Sequence, residues 1–237
     1  MERFEKVVRF LDNNSYAEKV IHHPDYRAWL TLIGSASINI AYSVFKFITG
    51  FIHGSLWIGA IAVYYFLVSV LRYVLIYQTH KNAVQQDERI YKKNMLKSYE
   101  VTGWWMLALN VLIMAFGGQM LWVNRTYNFP PYILVGGACF TLFCLCNSIY
   151  NLIKNRKLQH PLFAATKNIS LTCSLLSILS FQTSLIAQFG DFLSPPGRRI
   201  SNSVTGALVM IAIFSIAIRM IVQGRLACRK IKKESFR

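Results

Sequence analysis

Residues 35–78 read SASINIAYSVFKFITGFIHGSLWIGAIAVYYFLVSVLRYVLIYQ, two long apolar runs joined by a junction too short for anything but a tight turn. A bilayer core about 30 Å thick takes roughly 20 residues of helix to cross, so each half of this stretch is long enough to span once. The breakers concentrate between Gly50 and Ser55. Hydrocarbon offers backbone N–H and C=O groups no partner, so a chain can turn only where water or protein supplies one. The pattern predicts a transmembrane hairpin around which the rest of the chain is organised.

Further apolar runs near residues 103–123, 132–153, 169–189 and 205–222 predict four more spans. With 15% charged residues, the chain falls well below the roughly 25% of an ordinary soluble domain. The predicted fold class is all-α: a polytopic membrane protein with six transmembrane helices in three hairpins, and one membrane domain over residues 28–223. The preceding segment, residues 1–27, is polar, yet Phe4, Val7, Val8 and Leu11 recur at i, i+3, i+4 and i+7, one face of a helix. Ser15 and Glu18 stand at capping-box spacing for a second short helix. This amphipathic segment is expected at the membrane surface or packed beneath the bundle. Residues 224–237 read as a basic tail, and no cleavable signal peptide is expected, because the first apolar run begins near Ala28 and has the length of a span.

The formal charge of +16 would suit a nucleic-acid partner if the basic residues formed one patch, but their positions follow the predicted topology instead. Of 26 Lys and Arg, 20 lie in the amino-terminal segment, the even-numbered connections and the carboxyl terminus; only Arg125, Arg198 and Arg199 lie in the odd-numbered turns. This asymmetry is the positive-inside signature. It places both termini in the cytoplasm and the protein in the cytoplasmic membrane. The expected partners are the bilayer itself and anionic lipid at the cytoplasmic face, with no nucleic acid. A homo-oligomeric contact or another membrane protein stays open as a further partner. Trp29, Trp104 and Trp105 fall near predicted inner ends and Trp57 and Trp122 near outer ends, as interfacial aromatics do.

Polar residues inside spans are the informative ones, because lipid exposes them only at a cost. Ser35, Asn39, Tyr42 and Lys46 share one face of the first span, and Tyr65, Ser69 and Arg72 one face of the second. The fifth carries Ser170, Ser174, Ser177, Ser184 and Gln188 along a stripe interrupted by Phe181. Two accounts fit these faces. They could line a hydrophilic path, with Asn39, Tyr42, Lys46, Tyr65, Ser69 and Arg72 as the lining residues. Alternatively they could only pack helices, with Lys46 and Arg72 reaching to the interfaces. Asn147, Tyr150 and Asn151 read as packing and capping residues at an inner end.

Catalytic groups are not expected. His22, His23, His53, His80 and His160 all fall outside the spans, no carboxylate lies within one, and metal or acid–base chemistry would need such groups together on neighbouring helices. Neither an enzyme, a metal site nor a cofactor is therefore anticipated. Cys139, Cys144, Cys146 and Cys173 lie in apolar runs and Cys228 in the basic tail, with no zinc-ligand spacing, which reads as packing.

The run from Asn39 to Ser55, with Lys46, Gly50 and the pair Gly54-Ser55, resembles the first-to-second-span region of the cation diffusion facilitator family. Glu100-Val-Thr-Gly103, with Asn110 in the third span, extends the likeness. The resemblance implies six spans with cytoplasmic ends. In that family a second-span pair of acidic or histidine ligands and a similar pair in the fifth span hold zinc. The second-span positions fall here on Tyr64 and Val68, another acidic position falls on Ile61, and the fifth span has no His or Asp. The resemblance thus extends to the scaffold and not to the zinc site. The pattern GSLWIGAIAVYYFLVSVLRYVLI with Gln182-Thr183 also resembles a group of uncharacterised bacterial six-span membrane proteins, which implies no particular activity. Two functions follow as expectations: a small-solute or ion carrier on a facilitator-like scaffold, or a non-transporting membrane partner that engages lipid or another protein.

Overall fold

The computed structural model describes residues 24–83, 88–123, 131–154, 161–189 and 194–234. Six helices account for nearly all of them: α1 (Pro24–Ile52), α2 (Leu56–Ala83), α3 (Glu88–Val123), α4 (Pro131–Lys154), α5 (Pro161–Phe189) and α6 (Pro195–Glu234). Each is long and apolar enough to cross a membrane, and there is no strand among the described residues. The protein is a multi-pass integral membrane protein. The expected amphipathic segment before Pro24 lies outside the described residues.

α1, α4, α5 and α6 each begin on a proline, whose fixed φ suits the first helical position and whose missing N–H would have had no intrahelical partner there. Ser194 caps α6, its Oγ accepting from the Gly197 N–H at 3.4 Å. The α1–α2 turn is tight, with only the three residues 53–55 between the helices. Gly54 adopts φ of 61°, the left-handed conformation that glycine takes without steric cost. The Ser55 N–H bonds the Gly50 carbonyl at 2.9 Å and the Gly54 N–H bonds the Phe51 carbonyl at 3.3 Å, the paired bonds of a Schellman cap. Ser55 Oγ then accepts from the Ile58 N–H at 3.4 Å, starting α2.

α3 and α6 extend beyond their apolar runs. The run locates the stretch that lipid demands, whereas a helix continues wherever its side chains find partners. Here the extensions of α3 and α6 meet: Arg225 Nε donates to Glu100 Oε1 at 2.6 Å, the Arg225 guanidinium lies 5.5 Å from the Trp104 ring centre, and Tyr99 OH donates to Gln223 Oε1 at 3.4 Å. Asn168 of α5 donates to Tyr99 OH at 3.1 Å, tying a third helix to the clasp. Backbone approach permits this. A Cβ built on Gly224 would stand 2.9 Å from the Glu100 Cβ, and one on Gly103 would stand 3.1 Å from the Ala217 carbonyl oxygen, so the helices touch as small-residue membrane interfaces do.

Chain order does not select every packing partner. α1 lies along α2, α2 meets α3, α3 pairs with α6, α6 meets α5, α5 lies along α4 and α4 touches α1, which closes a ring. α5 also meets α2 and α3 across it, so α2 and α5 bring their faces to the centre. The core there is aromatic and aliphatic, with Tyr64, Tyr65, Val68, Met106, Ile169, Leu176 and Ile213 buried. Trp104 and Trp105 are exposed at the bundle surface, where lipid headgroups would meet them. Trp57 is instead buried beside Gly117, so its position near a helix end reflects packing in the bundle and not an interfacial belt.

Candidate functional site

Of the three basic residues within the apolar spans, Arg219 is exposed on α6, whereas Lys46 and Arg72 are each 1% exposed. The two buried cations occupy different levels of the bundle. Lys46 lies six residues before the end of α1, near the α1–α2 turn. Arg72 contacts Ser35, eleven residues earlier on α1 than Lys46, a helix rise of about 16 Å.

Three helices supply the polar surroundings of Arg72. Its Nη1 donates to Ser35 Oγ of α1 at 2.6 Å, and its Nη2 to Ser170 Oγ of α5 at 3.3 Å and to Cys173 Sγ at 3.9 Å. Asn39 Nδ2 approaches the same sulfur at 3.8 Å, and Asn151 Nδ2 of α4 donates to Ser170 Oγ at 3.2 Å. Arg72 Nε is buried and has no hydrogen-bond partner among the described residues. Every acidic residue of the chain lies outside residues 26–86 and 101–190, so α2, α4 and α5 carry no carboxylate. Glu100 of α3 is engaged by Arg225.

Between the two cations lies a layer of rings. Tyr42 of α1 stacks on Phe140 of α4 with centroids 3.5 Å apart and planes within 6°, and Tyr65 of α2 stands edge-on to both, at 5.4 and 5.1 Å. Tyr64 meets Tyr65 at 90°. Lys46 Nζ lies 5.5 Å from the Tyr42 ring centre, a cation–π arrangement on the turn side of this layer. Tyr65 OH reaches the other way and donates to the Cys173 carbonyl at 3.3 Å. Small side chains make room for the rings. Gly137 of α4 faces Tyr42 and Phe181, and Ser43 Oγ draws α1 onto α2 by donating to the Ala62 carbonyl at 2.8 Å.

The residues singled out from sequence thus sit at three levels. Lys46 is on the turn side, Tyr42 and Tyr65 form the aromatic layer, and Asn39 and Arg72 lie beyond it. Ser69 is buried but bonds the Tyr65 carbonyl of its own helix at 2.8 Å. The α5 stripe divides likewise. Ser170 faces Arg72, and Ser174 bonds the Cys144 carbonyl of α4 at 2.8 Å and meets Ser148 at 2.6 Å. Ser177 and Ser184 return their hydroxyls to α5 carbonyls. Phe140, Asn151 and Cys173 were not legible as members of the site. Apolar or capping positions in sequence become neighbours of the polar faces only once α4 and α5 close the ring.

The positions where the family likeness would need zinc ligands, Tyr64 and Val68, are buried beside this layer, and no three His, Cys, Asp or Glu side chains gather as a metal site among the described residues. One cavity, about 250 Å³, is walled by Trp57, Met114, Gly117, Thr183, Asn202 and Met210, and another, about 640 Å³, lies at the α1–α2 turn against Gly50, Gly54 and Ser55; neither includes a cation. No protein-family model and no curated protein matches this chain.

Proposed function

We propose that the protein is a small-solute or ion carrier of the cytoplasmic membrane, built on a facilitator-like scaffold without its zinc site. The observation that carries this reading is the convergence of polar faces from α1, α2 and α5 on Arg72, a fully buried charge inside a membrane bundle. Ionisable groups held within a membrane are costly and mark solute and ion paths more often than structural contacts. The aromatic layer of Tyr42, Tyr65 and Phe140 stands between Lys46 and Arg72, which suits a carrier closed at its middle. The work asked of the protein is passage, not catalysis.

Thiol accessibility tests it. In a background lacking the five native cysteines, single cysteines at positions 39, 42 and 46 should react with a small water-soluble thiol reagent, while the outward-facing Val44→Cys and Ile48→Cys variants should stay inert. Reaction at none of the three, or at 46 alone, overturns the carrier reading. That result would favour a non-transporting membrane partner, for which the hydroxyls that Ser69, Ser177 and Ser184 return to their own helices already speak.

The same reading sets the orientation. The three-hairpin arrangement with both termini in the cytoplasm rests on the 20-to-3 distribution of basic residues. Reporter fusions at Gln85, Lys157 and the carboxyl terminus should all report cytoplasm. An external signal at any one of them breaks it.

A further inference from the structure

Among the described residues, Arg72 sits with donors and neutral groups and no opposite charge, and its Nε has no hydrogen-bond partner. Its guanidinium presents five N–H groups in a planar fork. Ser35, Ser170 and Cys173 take the two terminal nitrogens, and Nε takes nothing. Asn39 turns its amide toward the Cys173 sulfur that Arg72 also meets, while Asn151 gives its amide N–H groups to Ser170 Oγ and Asn147 Oδ1. A buried charge with neutral partners only is left undercompensated, because hydroxyl and thiol dipoles offset a fraction of what a carboxylate would. The hydroxyl of Ser170 can rotate to donate as readily as it accepts. The whole set is therefore short of one negative, acceptor-rich group.

We infer that the Arg72 cluster binds a small oxyanion, a carboxylate or phosphate group held by the guanidinium with the Ser170 hydroxyl and the Asn39 amide beside it. Side-on approach to Nε and its neighbouring Nη is the geometry in which arginine grips a planar carboxylate or a phosphate with two parallel bonds. Lys46, beyond the aromatic layer, supplies a second positive charge on the turn side, so an anion crossing the bundle would meet a cation on either side of the layer. This deepens the carrier reading and rests on it for the direction of travel, while the binding itself stands apart from transport. The oxyanion could arrive as a free solute or as the headgroup of an anionic lipid.

The purified full-length protein in neutral detergent separates these cases. Unfolding is followed with a thiol-reactive dye that reports the exposure of buried Cys144 and Cys173. Sodium phosphate and sodium acetate, each against sodium chloride at equal ionic strength, test the free anion; micelles doped with phosphatidylglycerol against phosphatidylcholine test the headgroup. At about 100 times Kd, a bound oxyanion should raise the midpoint on the order of 5 °C, saturably. Arg72→Gln should lose that rise, and Arg219→Gln, an exposed cation on α6 away from the cluster, should keep it. Arg72→Met should be as stable as the wild type without anion, or more so, because it removes an uncompensated charge. No saturable rise with phosphate, acetate or phosphatidylglycerol overturns the inference, as does an equal rise in Arg72→Gln. Should Arg72→Gln fail to fold, Arg72→Lys serves, expected to bind at least tenfold more weakly because an ammonium lacks the fork. Efflux of labelled phosphate and acetate from phosphatidylcholine liposomes is read separately. Binding without flux removes the carrier and leaves the oxyanion site; reactive cysteines at 39, 42 and 46 with no oxyanion effect do the reverse.

Discussion

Gly224→Leu is expected to unfold the bundle at its far end. A Cβ alone would stand 2.9 Å from the Glu100 Cβ and 3.2 Å from the Glu100 backbone, and backbone cannot move aside as the tip of a side chain can. Overpacking of this kind costs about 1–3 kcal/mol for modest additions, and a leucine adds three carbons beyond the first. Because membrane helices associate through close packing and not through apolar burial, a forced separation of α3 and α6 is not repaid elsewhere. It would also pull Arg225 from Glu100 and Tyr99 from Gln223. The expected result is little folded protein after detergent extraction, or a midpoint lowered by more than about 5 °C, at several kcal/mol for a chain of this size. Gly34→Ala is the control, since nothing lies within 4 Å of a Cβ there. A Gly224→Leu variant with the wild-type midpoint would show that α3 and α6 do not touch as described.

Phe140→Ala is expected to combine a large stability loss with a gain in accessibility. The ring is buried, stacks on Tyr42 and takes the edge of Tyr65, so its removal empties the centre of the layer. Loss of a buried phenylalanine costs about 3–5 kcal/mol where the site cannot collapse, and α4 is braced here by bonds to α5 from Thr141 and Ser148. If the layer is what divides the path, Asn39→Cys should react faster with a water-soluble reagent in the Phe140→Ala background, by roughly tenfold or more. Phe140→Leu, nearer in volume, should recover most of the stability and most of the protection. Unchanged reactivity at position 39 despite the lost ring would show that the barrier lies elsewhere.

The sequence proved most informative where lipid imposes a rule on every residue. Length and apolarity marked all six helices, because a segment that crosses hydrocarbon must satisfy its own backbone and present little charge. The turn between α1 and α2 was legible for the same reason, with Gly54 and Ser55 the residues that a helix stop followed at once by a helix start calls for. Helix limits were less so. α3 begins at Glu88 and α6 continues to Glu234, because Glu100, Tyr99, Gln223 and Arg225 meet in space, and a contact between residues more than a hundred apart leaves no mark on local periodicity.

The polar faces of Asn39, Tyr42 and Lys46 on α1 and of Tyr65, Ser69 and Arg72 on α2 were readable as stripes, since the period of a helix assigns each side chain to a face. What lay opposite was not readable. Periodicity does not say that Lys46 and Arg72 point inward together, that Ser69 bonds its own helix, or that Phe140 and Asn151, on a fourth helix, complete the site. Sequence by itself determined the spans, the excess of basic charge on alternate connections and the lack of any carboxylate inside the spans. Tertiary structure alone decided that α3 pairs with α6 and α4 with α5, that rings from three helices separate the two cations, and that Arg72 is left with neutral partners. The physical reason is that a single helix specifies which residues share a face through its own geometry, while the partner of that face depends on small residues, such as Gly103 and Gly224, that let particular helices approach and leave others apart.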